Sequence, residues 1–300
     1  MFQGDHYGPT RIKASEIPQW RYGVGALIAV AFWQIGGVLT TLAAAVTLSV
    51  PLDALPTFPD TPAWKALAVV LASFIPLFFI VPLLYPLLLK LPWLTLITNE
   101  REISWRRIGH GFLAFVAILL PLSALDLILN SSAYSFTFRW QDFLPYLVIC
   151  ALLLPIQTTS EELFFRGWLL RWLSSGRLPI WLVAALNGAI FAAPHLFNPE
   201  VKGNYLPSFI SYAAVGAMLA LATIRDGTLE LAIGAHFANN LLAGTLIGYQ
   251  DSALPSAAIF STGELNWGFS ALISLAIIPV FLWLTRSVNS RPGWLRGAKD

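Results

Sequence analysis

Charge is what this chain has least of. Of its 300 residues only 11% are Asp, Glu, Lys or Arg, while 57% are hydrophobic; an ordinary soluble domain is about 25% charged. That deficit excludes a water-soluble globular fold and predicts an all-α integral membrane protein. Cysteine is nearly absent as well. The one residue, Cys150, lies inside an apolar run, which excludes a disulfide framework and a cysteine metal cluster and leaves the redox compartment unreadable. The net charge of +2 is small and its basic residues are dispersed, so no nucleic-acid partner is expected. The first 20 residues lack the short apolar core and small-residue cleavage site of a secretory signal, and the first membrane helix is expected to serve for insertion. The C-terminal GAKD is not a prenylation sequence. Internal repeats and low-complexity runs are also missing.

What the chain has is long apolar runs. About 20 apolar residues span a bilayer as a helix, and eight segments qualify, near 23–49, 66–89, 109–129, 143–163, 179–197, 206–224, 229–249 and 266–285. They form a single polytopic domain over 1–300. The fourth is expected to run on as helix towards Trp172, since Gly167 is the only breaker between Leu163 and Trp172. Loops are expected at 51–62, 130–137, 198–207 and 225–227, where Pro, Asn, Asp and Gly gather. With alternate loops on alternate sides, 15 Lys and Arg fall on one face and 3 (Lys65, Arg139 and Lys202) on the other. Cytoplasmic loops are enriched in Lys and Arg. The split therefore predicts eight spans in the cell membrane with both termini cytoplasmic. Trp20, Trp64, Trp93, Trp105, Trp172 and Trp181 sit near segment ends, as an interfacial belt would.

Against this background Thr158 to Leu170, TTSEELFFRGWLL, stands out. Glu161 and Glu162 follow 18 residues, Phe143 to Ser160, without any charge. A carboxylate at bilayer depth costs roughly 2.5–3.5 kcal/mol, so two of them need partners or a task. Residues four apart share a helix face and adjacent ones point about 100° apart. Glu162 can therefore pair with Arg166 while Glu161 points elsewhere, free to act as a base. His195 closes the fifth segment. If the fourth and fifth segments form a hairpin turning near 175–177, Glu161 and His195 lie at similar depth, roughly 22–28 Å from its tip. In the seventh segment His236 and Asn240 share a face. A carboxylate base, an imidazole and an amide donor are what attack of water on a carbonyl requires. His236 lies only ~12 Å inside its helix end, so its depth matches that of Glu161 only if the hairpin tip protrudes by about 10–15 Å.

EELFFR at 161–166, FAAPH at 191–195 and HFANN at 236–240 resemble the EExxxR, FxxxH and HxxxN motifs of the CPBP family of intramembrane proteases. That family includes the type II CAAX prenyl endopeptidases and the bacterial Abi proteins. The motifs stand in the family's order, on separate apolar segments, and the resemblance covers a catalytic core of 140–250. It implies an endopeptidase in which Glu161 and His195 activate water, His236 and Asn240 stabilise the oxyanion, and Glu162 and Arg166 shape the site. It also implies a substrate that is a membrane-associated protein or peptide, of CAAX or other lipidated type, met in the lipid bilayer. The cavity is expected to open to the cytoplasmic side.

The family has also been described as metalloproteases, and two histidines with a carboxylate make a sound catalytic zinc set. Here no HExxH occurs and each candidate ligand comes from a different helix, so no cofactor is expected and zinc is the alternative. Two readings from other classes compete. Buried Glu, Arg and His also build the proton relays of transporters, and a catalytically idle scaffold or bacteriocin-immunity protein could keep the fold. Asp126, Asn130 and His110 read as helix-end or interfacial residues, and Gln34 and Asn187 as interhelical hydrogen bonds. The oligomeric state is not legible.

Overall fold

The computed structural model describes residues 16–55, 57–58, 60–263 and 265–286. Both termini, with Arg11, Lys13, Arg291, Arg296 and Lys299 on which part of the orientation rests, lie outside the described residues. Helix α1 (Gln19–Thr47) turns Leu27, Ile35, Val38 and Val46 outward, the exposure of a lipid-facing helix. Helices α2 (Ala63–Ala72) and α3 (Ile75–Leu84) form one apolar rod, interrupted at 73–74 just before Pro76 and ending in a π turn, Tyr85–Leu89. Proline supplies no N–H to the ladder and crowds the preceding turn, so a break there is expected. After α4 (Trp105–Leu129) and the short strand β1 (Tyr134–Phe136), helix α5 (Trp140–Glu162) passes into a π segment, Leu163–Leu169, and then α6 (Leu170–Ser174). These three make one 35-residue rod, about 52 Å long against a hydrocarbon core of about 30 Å. The continuation towards Trp172 is therefore present, and the rod projects beyond one face.

The chain closes with α7 (Ile180–His195), α8 (Tyr205–Asp226), α9 (Glu230–Thr245), strands β2 (Ile247–Tyr249) and β3 (Phe260–Thr262), and α10 (Trp267–Leu284). Among the described residues six helical rods are long and apolar enough to cross a bilayer. The expected fifth and seventh segments form α7 and α9, of 16 residues each, or ~24 Å. α9 is enclosed between α4 and α5, whereas α7 packs one face against α8 and turns Trp181, Leu186 and Ile190 outward. Close approach is built into these pairs by glycine. A Cβ on Gly234 would stand 1.9 Å from the Ile108 carbonyl oxygen, and one on Gly188 2.3 Å from that of Ala213.

Among the described residues the departure from an all-helical fold is a small sheet of order β1-β3-β2. Tyr134 faces Thr262 in the antiparallel pair and Ile247 faces Phe260 in the parallel one.

Hydrogen bonds gather the connections into two faces. On one, Trp172 Nε1 and Ser175 Oγ donate to Gln19 Oε1 at 2.9 and 3.1 Å. Leu229 N donates to Ile97 O at 2.8 Å, and Arg225 Nη1 to Leu282 O at 2.7 Å. On the other, Lys65 Nζ donates to Leu48 O at 2.8 Å, and the start of α10 meets the 198–201 turn through Trp267 Nε1 to Glu200 O at 3.0 Å. The arginines expected at the arginine-rich face are not all at its surface. Arg166, assigned to that face, is instead 2% exposed inside the bundle, because its charge is neutralised there by Glu162; Arg107 and Arg171 are buried as well. Asn187 does make an interhelical bond, whereas Gln34 is exposed on α1. His110 Nε2 lies 3.2 Å from Leu284 O, and Asn130 donates to Asp126 at 2.7 Å.

Candidate active site

The last turns of α5 reach the bundle centre with their backbone and hydroxyl groups already satisfied. Thr158 Oγ1 donates to Leu154 O at 2.9 Å and Ser160 Oγ to Gln157 O at 2.7 Å, so both hydroxyls fold back on their own helix. Gln157, Glu161 and Glu162 are left to face other elements. At Leu163 the helix widens into its π segment, and Asn187 Nδ2 from α7 donates to Phe165 O at 2.7 Å. π turns commonly occur at functional sites, and they leave carbonyls that need such partners.

Glu162 and Arg166 form the expected pair, Oε1 to Nη1 at 2.9 Å, both side chains fully buried. Arg166 Nη2 also donates to Gly216 O at 3.2 Å, and its guanidinium lies 4.3 Å from the Phe191 ring centre. The same Glu162 Oε1 lies 2.7 Å from His236 Nδ1. With Nδ1–H donating to Glu162, His236 turns Nε2 towards Glu161, 3.4 Å from Oε2. Glu161 is 4% exposed, and its Oε2 accepts no hydrogen bond. Asn240, one turn along α9, donates from Nδ2 to Gln157 Oε1 at 2.9 Å and accepts at Oδ1 from Asn239 at 2.9 Å.

These groups border a cavity of about 410 Å³, whose wall includes Gln157, Glu161, His195, His236 and Asn240. His195 therefore shares the cavity with Glu161, but the histidine in contact with that carboxylate is His236. The His195 Nδ1 lies 2.9 Å from the Phe191 carbonyl oxygen, an acceptor that calls for a proton on Nδ1 and leaves Nε2 as the lone-pair nitrogen. Its ring stacks 4.4 Å from that of Tyr212. The contact of His236 with Glu161 also resolves the depth mismatch. From Glu161 the rod continues 13 residues to Ser174, whereas α9 begins six residues before His236, so the hairpin tip extends roughly 10 Å past the α8–α9 turn.

The direction of the cavity differs from expectation. Its further walls are Asn198, Glu200, Tyr249, Ala253 and Leu254, which belong to the face opposite the arginine-rich loops. Towards the arginine-rich face the path is filled by Leu163, Phe164, Phe165, Trp168 and Leu169, all buried in one cluster with Leu96 and Leu229. Close-packed aromatic and aliphatic side chains leave no passage there.

Three residues of the site escape sequence reasoning. Gln157 sits one turn before Glu161, a spacing that could have flagged it. Glu200 and Tyr212 carry no such signal: Tyr212 OH donates to Glu200 Oε1 at 2.9 Å, and Glu200 Oε2 accepts from Ala253 N at 2.9 Å. As for a metal, no group of three or more His, Cys, Asp or Glu side chains converges to hold an ion among the described residues. Glu161, His195 and His236 line one cavity without forming such a group.

Comparison with known proteins follows the same region. Over 91% of its length the chain is 29% identical to an uncharacterized protein of Bacillus subtilis (strain 168), YyaK, covering 94% of that protein. No solved structure matches. Residues 139–242, from the start of α5 to near the end of α9, match the family described as type II CAAX prenyl endopeptidase Rce1-like. In this multi-pass, predominantly helical membrane protein, the helices that bring Glu161, His195 and His236 to one cavity are therefore the part of the chain that is similar to the Rce1-like CAAX endopeptidase family.

Proposed function

We propose that the protein is a glutamate-dependent intramembrane endopeptidase acting on a membrane-associated protein or peptide. The observation that carries this reading is the Glu161 carboxylate. It is buried at a cavity wall, with one oxygen free of hydrogen bonds and an imidazole 3.4 Å away. Such a group is a base in wait of a proton donor, and water in the cavity is the donor that hydrolysis uses. Glu161, assisted by the free Nε2 of His195, takes a proton from water as the water oxygen bonds to the scissile carbonyl carbon. His236 Nε2 and the Asn240 amide then stabilise the oxyanion. That donation requires His236 to carry a proton on each ring nitrogen, and Glu162, itself held by Arg166, supplies the acceptor for Nδ1. Collapse of the tetrahedral intermediate breaks the C–N bond, and the proton held by Glu161 passes to the leaving amine. In this reading every step is carried by side chains and water.

The family's description names prenylated CAAX substrates, and a lipidated peptide is accordingly the first substrate class to try. The test is cleavage by purified protein in detergent of matched lipidated and unlipidated peptides, with Glu161→Gln and His195→Ala beside the wild type and with and without chelator. Loss in both folded variants without chelator sensitivity is the expected result. Activity abolished by chelator and restored by zinc would overturn the metal-free mechanism. Proton flux in vesicles without cleavage of any peptide would favour a transporter instead.

A further inference from the structure

A second, larger cavity of about 630 Å³ lies beside the one that holds Glu161. Its wall is drawn from the 55–63 and 249–256 connections together with α1 and α2, and it is rich in hydroxyl groups, among them Thr41, Thr57, Ser73, Ser252 and Ser256. The two cavities share Val70, Tyr249 and Ala253. Glu200 braces this partition from the inner side. It accepts from Ala253 N, Tyr212 OH and Asn198 Nδ2 at 2.9, 2.9 and 3.0 Å, and its charge, after burial, pushes the Tyr249 hydroxyl up to about 12. Thus the loop that separates the cavities is tied to the ring that stacks on His195.

From these observations we infer that the larger cavity is a substrate vestibule, entered from the face opposite the arginine-rich loops. It would admit a polar, neutral-to-basic stretch of polypeptide to Glu161 past Tyr249 and Ala253. The inference rests on the endopeptidase reading and adds to it a side of entry and a charge preference. Three features carry it. The arginine-rich side is plugged by the Phe164, Phe165 and Trp168 cluster, so the reacting carbonyl has to arrive from elsewhere. The vestibule offers hydroxyls that can replace water around a peptide backbone, whereas a purely apolar groove would leave its N–H and C=O groups unpaired. Finally, among the described residues neither wall includes Lys or Arg, while Asp251 lines the outer cavity and Glu200 and Glu161 the inner one. A cleft of one sign attracts the opposite charge and penalises its own.

Two measurements test this, and the first needs no activity. Ser256→Cys, in the vestibule wall, and Gly176→Cys, on the exposed hairpin tip, are each placed in a background lacking Cys150. They are then treated with a membrane-impermeant maleimide in vesicles of both orientations. Labelling of the two from opposite sides is expected; labelling from the same side overturns the proposal. The second measurement compares cleavage of a membrane-anchored peptide carrying Lys, Ser or Glu in the stretch flanking the scissile bond. A several-fold higher kcat/KM for Lys than for Glu is expected, mostly in KM. Asp251→Lys should narrow or invert it, and a bulky maleimide on Ser256→Cys should suppress cleavage. Equal rates for the three peptides, or cleavage untouched by the blocked vestibule, would overturn it. If the wild type cleaves nothing, the endopeptidase reading fails, and the labelling still decides the side of access.

Discussion

Two clusters of buried charge occupy this bundle, and their difference separates holding a fold together from doing chemistry. Near the arginine-rich face, Arg107 pairs with Asp226 at 2.6 Å and with Glu230 at 2.9 Å. Arg225 Nε binds Asp226 at 2.7 Å, and Ser104 N donates to Glu230 Oε1 at 2.7 Å. Two guanidinium groups meet two carboxylates, and neither described cavity wall around the site includes any of them. At the bundle centre there is one guanidinium for two carboxylates: Arg166 pairs with Glu162, and Glu161 has the His236 imidazole at 3.4 Å. That cluster borders a cavity, and its Glu161 Oε2 has no hydrogen bond, whereas Glu230 Oε2 of the first cluster lies 2.9 Å from Arg107 Nε. Burial of charge is common to both. The uncompensated carboxylate facing open space distinguishes the second and makes it the candidate for catalysis.

The sharpest break in the comparison is Glu161→Gln. As general base its loss should lower kcat by about 10³-fold or more. The thermal midpoint in detergent should stay unchanged or rise, since an imperfectly paired buried charge is removed. A variant that unfolds instead would put Glu161 among the structural charges. The converse experiment is Arg107→Met. Removing one partner of a buried ion cluster costs about 3–5 kcal/mol, visible in denaturant or thermal unfolding. The folded fraction should retain the wild-type kcat, and a kcat loss exceeding the loss of folded protein would erase the distinction drawn between the clusters. Asn240→Ala should lower kcat about 10²-fold with KM little changed, as loss of one oxyanion donor does. Gln157→Ala should have the smallest effect, about tenfold in kcat, because it removes one neutral hydrogen bond that orients Asn240; single-turnover kinetics would separate it from a binding defect.

The Glu162–Arg166 pair was legible because it is local: a helix places residues four apart on one face whatever surrounds it. The continuation of α5 towards Trp172 was equally legible, because Gly167 is the only breaker between Leu163 and Trp172. His195 and Glu161 could be assigned similar depth by counting residues along a hairpin, and they do line one cavity. Counting could not say which histidine would touch the carboxylate. That depends on how far the hairpin tip overshoots the α8–α9 turn and on the close α4–α9 approach at Gly234. Glu200 was hidden in a stretch that read only as a loop, since its partners Tyr212 and Ala253 are 12 and 53 residues away.

By itself, then, the sequence determined the solvent, the helices and the residue types of the site. Each follows from hydropathy, helical period or the cost of a charge in lipid, all properties of short stretches of chain. Only the tertiary structure decided that α7 and α9 are short and that α9 is enclosed, that His236 bridges both glutamates, and that the cavity points away from the arginine-rich face. Those outcomes turn on packing between segments far apart in the chain. Side-chain volume at a few contacts, such as the Phe164–Trp168 plug on one side and Gly188 against Ala213 on the other, fixes which space is filled and which is left open.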